Sequence, residues 1–180
     1  MSSRSARSVR RRATALAWVA VVAFAALASS AGVARAAPAE VDSQPLFAAS
    51  FKDFDRKQQP LAQFKGRPMV VYFWATWCKS CKQEVPDLIA LHKKLGAKIS
   101  VIGIAIDNTD KVREFAQQNQ INYTLLLGSN DAIALSKQLG NSVGGLPFAV
   151  VVDAKGNIVR SLLGETPAGR FEELIRPLIS

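Results

Sequence analysis

The only two thiols of the 180-residue chain lie in the segment Trp77-Cys78-Lys79-Ser80-Cys81, and their spacing suits redox chemistry. At the start of a helix, residues three apart are neighbours on one turn, so the two sulfurs come close enough to form a disulfide. Unpaired N–H groups and the positive end of the helix dipole favour negative charge there. Cys78 is therefore expected to be the more acidic and exposed thiol, the nucleophile. Cys81, one turn in and aligned with Val85 and Leu88, is expected to be buried and to act as the resolving thiol. A static structural disulfide is the competing reading, but so short a loop offers little entropic stabilisation. Two cysteines cannot build a Cys₄ zinc or iron–sulfur site, and the single histidine, His92, cannot supply the two ligands still missing. It also makes a Ser-His-Asp triad unpromising. No metal, nucleotide or flavin cofactor is expected.

Elements able to hold such a pair in place are legible on both sides of it. Residues 69–75, Met-Val-Val-Tyr-Phe-Trp-Ala, form a continuous apolar run, the pattern of a strand buried on both faces. Residues 78–95 follow with Cys81, Val85, Leu88, Ile89 and His92 at helical spacing and most lysines on the other side. Further on, a buried strand over 99–106 ends at Asp107-Asn108-Thr109, a cap for a helix over 110–119. A strand over 123–127, a helix over 131–139 and a hairpin of 147–152 with 157–163 come next. Pro167 is expected to open a last helix running to about residue 179. Before all of these, 46–64 reads as a β-hairpin with the polar turn Asp53-Phe54-Asp55-Arg56. Alternating strands and helices closed by a hairpin imply an α/β domain, a central mixed sheet flanked by helices.

The net charge of +9 does not signal nucleic-acid binding, because six arginines and no acidic residue fall within residues 1–36. Outside that segment the balance is +3, with no block of like charges. The arginines at 4–12, an apolar run over 13–28 and Ala34-Arg35-Ala36 read as an export signal with cleavage after Ala36. Retention as an uncleaved anchor is the alternative and the one contact with a membrane that is expected. Residues 37–45, with Pro38 and Pro45 and no periodicity, read as a linker, leaving 46–180 as the domain.

Over residues 46–179 the chain resembles the thioredoxin superfamily, and within it the exported TlpA-like reductases that include the cytochrome c maturation thioredoxins. The strongest stretch is VVYFWATWCKSCKQEVP, residues 70–86, with Gly145-Leu146-Pro147 downstream. The resemblance implies a thioredoxin fold carrying the N-terminal β-hairpin as an extension. It further implies that Pro147 is a cis-proline beside the cysteines, and that the backbone of Leu146 pairs with a bound substrate strand. Trp77 walls the site. Glu84, three residues after Cys81 and on the same helix flank, is expected to shuttle the proton of the resolving thiol; an ordinary solvated glutamate is its plainer reading. Tyr72 departs from the cytosolic thioredoxins, which carry a buried aspartate at that point of the strand.

The expected activity is extracytoplasmic protein thiol-disulfide exchange, most simply disulfide reduction. The implied partners are a protein disulfide, with apocytochrome c as one candidate, and a membrane thiol-electron transporter as reductant. An oxidase of secreted proteins would use the same residues in reverse. A copper-delivery module of the same fold would need a wider cysteine spacing and a distal histidine.

Overall fold

A computed structural model describes residues 41–179; the export signal or anchor expected over 1–36 lies outside them. Seven strands form one mixed sheet: β1 (Ser50–Lys52), β2 (Gln58–Pro60), β3 (Met69–Trp74), β4 (Ser100–Ile106), β5 (Thr124–Gly128), β6 (Phe148–Val152) and β7 (Ile158–Leu163). Their spatial order is β2-β1-β5-β4-β3-β6-β7. β4 runs parallel to both β3 and β5, whereas β6 is antiparallel to β3 and β7 to β6. Every residue of β3 is buried, as a central strand with helices over both faces must be.

The alternation along β3 divides the core. Val70, Tyr72 and Trp74 join Cys81, Leu88 and Leu91 of α2 (Lys79–Leu95), Val112 of α3 (Thr109–Gln118) and Phe171 and Ile175 of α5 (Arg170–Ile175). Met69, Val71 and Phe73 meet Leu46 of α1 (Gln44–Ala48) and Ala132 and Leu135 of α4 (Asn130–Gln138) on the opposite face. No helix among the described residues is long and apolar enough to cross a membrane.

The N-terminal hairpin is β1 paired with β2, and it joins the main sheet where Lys52 pairs with Leu127 of β5. Its turn is held by Asp53, whose Oδ1 accepts from the N–H groups of Asp55 and Lys57, with Arg56 at φ +62°. Ahead of it, helix α1 takes up residues 44 and 45, which had read as the end of a linker; Pro45 sits in its first turn and Leu46 is fully buried.

The last helix departs further from expectation. Pro167 does not open it: α5 begins at Arg170, after Gly169 in the left-handed conformation, and passes into a 3₁₀ turn over Arg176–Leu178. The backbone before it is committed elsewhere, with the N–H of Thr166 donated to Glu84 and that of Gly169 to Asp87, both on α2. Pro177, which has no N–H, ends regular α-helical bonding.

Gly128 marks a close approach between β5 and α4. A Cβ there would stand 2.4 Å from Cβ of Ala132 and 3.0 Å from Cγ2 of Ile104. Replacing a strand glycine by alanine ordinarily stabilises by about 0.5–1 kcal/mol, but overpacking costs about 1–3 kcal/mol. Gly128→Ala is accordingly expected to lower the unfolding free energy by about 1–2 kcal/mol, measured by urea unfolding; a rise would mean that α4 can shift away.

Candidate active site

Strand β3 ends at Trp74, and Ala75-Thr76-Trp77 carry the chain to the first turn of α2, where Cys78 and Cys81 are joined by a disulfide with their Cα atoms 5.2 Å apart. Cys78 is the N-cap: its Sγ accepts from the N–H of Cys81 at 3.2 Å, and its carbonyl takes the first helical bond from Lys82. A thiolate at this sulfur would meet the same N–H and the positive helix end, with no acidic side chain in the first turn to oppose it. In the disulfide form Cys78 retains 6% exposure and Cys81 none. The order is as expected, but Cys78 is far less open than an attacking thiol was expected to be, because the bond draws its sulfur against the helix turn. Trp77 beside it is 67% exposed.

The loop before the cysteines is clipped by a residue that the sequence reading had placed in a helix cap. Oδ2 of Asp107, just past β4, accepts from the backbone N–H of Thr76 at 2.9 Å and from the Thr76 hydroxyl. Asn108 does the capping instead, accepting from the N–H groups of Asp110 and Lys111. Partial burial would raise the Asp107 pKa, but the Thr76 hydroxyl and the N–H groups of Asn108 and Thr76 more than offset it and hold the carboxyl below the usual aspartate value. Stability from this clip is therefore present above the ordinary aspartate range and lost as pH falls through the lowered folded value. Asp107→Ala should cost about 2 kcal/mol for its charged hydrogen bonds and speed hydrogen exchange at the Thr76 amide. Unchanged exchange at Thr76 would show that the loop is held by something else.

Leu146 and Pro147 are joined by a cis peptide bond, as the resemblance implied. Since Phe73 pairs with Phe148, Pro147 lies across from Trp74, at the sheet end that leads to the cysteines. Pro147 is buried and Leu146 half-buried. The approach to this bond is shaped by Asn141, a fully buried residue that sequence reasoning missed: its amide exchanges hydrogen bonds with the backbone of Gly145 at 2.8 and 3.0 Å. Nothing in a lone asparagine before a Gly-Gly pair marks it in advance. Beyond the bond, the Pro147 carbonyl accepts from the N–H of Gly164.

Glu84 is not a solvated helix glutamate; only 3% of it is exposed. Oε1 accepts from the N–H of Thr166 at 2.5 Å, whereas Oε2 is enclosed without a hydrogen-bond partner. Burial raises its pKa above the ordinary glutamate value; the Thr166 N–H and the Tyr72 hydroxyl oppose this, and the charges of Glu165 and Asp87 add to the rise. The Tyr72 hydroxyl donates to the carbonyl oxygen of Cys81 at 3.2 Å, tying the sheet to the active-site turn. Among the described residues no cluster of three His, Cys, Asp or Glu side chains could hold a metal.

Comparison with known proteins places this arrangement. Residues 42–161 match the family model described as the AhpC/TSA family. The thiol-disulfide oxidoreductase ResA of Bacillus thuringiensis subsp. konkukian is 29% identical over 128 residues, covering 70% of this chain and 72% of that protein. The crystal structure of a thioredoxin-related protein from Neisseria meningitidis serogroup B is similar at TM-score 0.63 and 28% identity, over 71% of this chain and 97% of that one. A thiol:disulfide interchange protein from Chlorobium tepidum TLS, at TM-score 0.66 and 24% identity over 73% of this chain and 93% of its own, shares the fold.

Proposed function

The chain belongs to the AhpC/TSA family and is a thiol-disulfide oxidoreductase, and from that premise we propose that it reduces protein disulfides outside the cytoplasm. The observation that carries this reading is the Cys78–Cys81 disulfide across the first turn of α2, with the buried Glu84 carboxyl one turn further along. In the dithiol form the Cys78 thiolate attacks one sulfur of a substrate disulfide. The substrate S–S bond breaks, a mixed disulfide forms at Cys78, and the freed substrate thiolate takes a proton from water. Cys81 then gives its proton to Glu84 and attacks Sγ of Cys78, so that the bond to substrate breaks as the Cys78–Cys81 bond forms. The departing substrate thiolate takes up a proton in its turn. Two electrons have moved from the cysteine pair to the substrate.

An apolar rim supports a protein substrate over a small thiol. Among the described residues Trp77, Val143 and Leu163 are the large exposed apolar side chains, and Val143 and Leu163 both adjoin Gly145, next to Leu146 and Pro147. Such a rim suits an unfolded segment laid along Leu146. A signal or anchor over 1–36, followed by a short linker that ends ahead of α1 at Gln44, is the organisation that supports an exported enzyme. A reductase in an oxidising compartment needs a supply of electrons, and a membrane thiol-electron transporter is the proposed upstream partner. Apocytochrome c, whose thiols must be reduced for haem attachment, is the substrate that the resemblance to cytochrome c maturation thioredoxins favours.

The reduction potential of the pair, measured by equilibration with a dithiol couple, tests the direction. A value near thioredoxin's, about −270 mV, supports the reductase, and one near about −120 mV would make the protein an oxidase.

A further inference from the structure

Two groups in the core beneath the cysteines have hydrogen-bonding capacity that does not match. Oε2 of Glu84 is a buried carboxyl oxygen with no donor. The Tyr72 hydroxyl, also buried, spends its one proton on the carbonyl oxygen of Cys81 while interacting with the Glu84 carboxyl. A carbonyl that closes a helix turn is a weaker acceptor than a carboxylate, and a charge-assisted bond is about twice as strong as a neutral one. When Glu84 is ionised, turning the hydroxyl from the Cys81 carbonyl toward the neighbouring carboxyl exchanges the weaker bond for the stronger. When Glu84 is protonated, the reason to turn is gone.

We infer that Tyr72 is a positioning residue for proton transfer, its hydroxyl alternating between the Cys81 carbonyl and the Glu84 carboxyl so that the charged form of Glu84 is held ready to take the Cys81 proton. The inference rests on the proposed shuttle role of Glu84. The proton itself passes from the Cys81 thiol to Glu84 and on to the departing substrate thiolate; Tyr72 keeps its own proton throughout. Its phenol is suited to that, since burial first, and the neighbouring Glu84 charge second, hold it well above the ordinary tyrosine value.

The surroundings are otherwise quiet. Phe171 of α5 packs edge-on against the Tyr72 ring, and Gly103 of β4 and Ala149 of β6 flank it in the sheet. The charged groups that bear on the pair are Asp87 on α2 and Glu165 in the loop before α5; Tyr123 is the other phenol. The charges of α5 and of the 3₁₀ turn after it are spent at the surface, Arg170 on Glu173 and Arg176 on Glu172, with Lys94 of α2 on Glu172 as well. His92 is two turns further along α2, about 12 Å from Glu84.

The test uses the whole reduced protein and a chromogenic aryl disulfide, which releases one aryl thiolate when Cys78 attacks and a second when Cys81 resolves the mixed disulfide. Tyr72→Phe removes the hydroxyl and keeps the ring. It should leave the first release unchanged, move the pH midpoint of the second upward, and slow it about tenfold below that midpoint, the effect of one lost hydrogen bond to a charge. Placed on Glu84→Gln, the same change should have no further effect on the second release. Tyr123→Phe, which removes the other phenol hydroxyl, should leave the profile alone. A second release whose midpoint does not move in Tyr72→Phe overturns the inference and leaves Glu84 in place. Equal shifts with and without Glu84, or in Tyr123→Phe, overturn it as well, since the hydroxyl would then act on the helix turn or the core at large. If Glu84→Gln by itself leaves the second release and its pH profile as in the parent, the premise falls and the inference with it.

Discussion

Cys78→Ser is expected to lower disulfide-reducing turnover by at least about 10³-fold, the scale on which removal of a covalent nucleophile acts, without forming a mixed disulfide. Cys81→Ala should lose turnover to a similar degree but accumulate the mixed disulfide, because the step it lacks comes after capture. The asymmetry follows from position. Sγ of Cys78 caps the helix and faces the N–H of Cys81, whereas Cys81 points into the core beside Leu88. Capturing exported proteins on Cys81→Ala and identifying them by mass spectrometry checks the order and names the substrate. Mixed disulfides that form on Cys78→Ser and not on Cys81→Ala would reverse the assignment of the two thiols.

Glu84→Gln is the second large effect. It keeps the shape and the acceptor for the Thr166 N–H while removing the charge. Loss of a positioned general base slows a proton transfer by about 10²-fold or more, so resolution of a preformed mixed disulfide should slow on that scale while its formation at Cys78 does not. The cysteine titration of the reduced protein should move to lower pH, since a nearby carboxylate opposes the thiolate. Oxidised protein offers an independent reading. A carboxyl whose folded pKa lies above its unfolded one binds its proton more tightly when folded, so its contribution is greatest in acid. Stability should fall as pH rises from the ordinary glutamate value through the raised folded value. Glu84→Gln should lack that decline. Parallel stability profiles in parent and variant, with equal resolution rates, would return Glu84 to a packing role.

Much of the frame was legible before any coordinates. Burial of both faces of β3 was written in the apolar run over 69–75, and α2 in the spacing of Cys81, Val85, Leu88, Ile89 and His92, although the structure buries Leu91 where the spacing had pointed to Ile89 and His92. The disulfide, the deeper burial of Cys81 and the cis peptide bond before Pro147 followed from local sequence and from resemblance. The last helix was misplaced because proline at a helix start is only a local preference, and the backbone near Pro167 is held by carboxylates 82 residues earlier in the chain. The same cause hid Asp107 and Asn141, whose type and neighbours suit a cap and a turn equally well.

By itself, then, the sequence determined the redox pair, the strand and helix that carry it and the mixed sheet around them, because those depend on periodicity and on contacts within a few residues. The tertiary structure alone decided that Glu84 is buried, that Tyr72 reaches the Cys81 carbonyl, and that Asp107 clips the loop before Cys78. Each of these depends on bringing together segments far apart in the chain, where a polar side chain is desolvated and must find its partner across the fold.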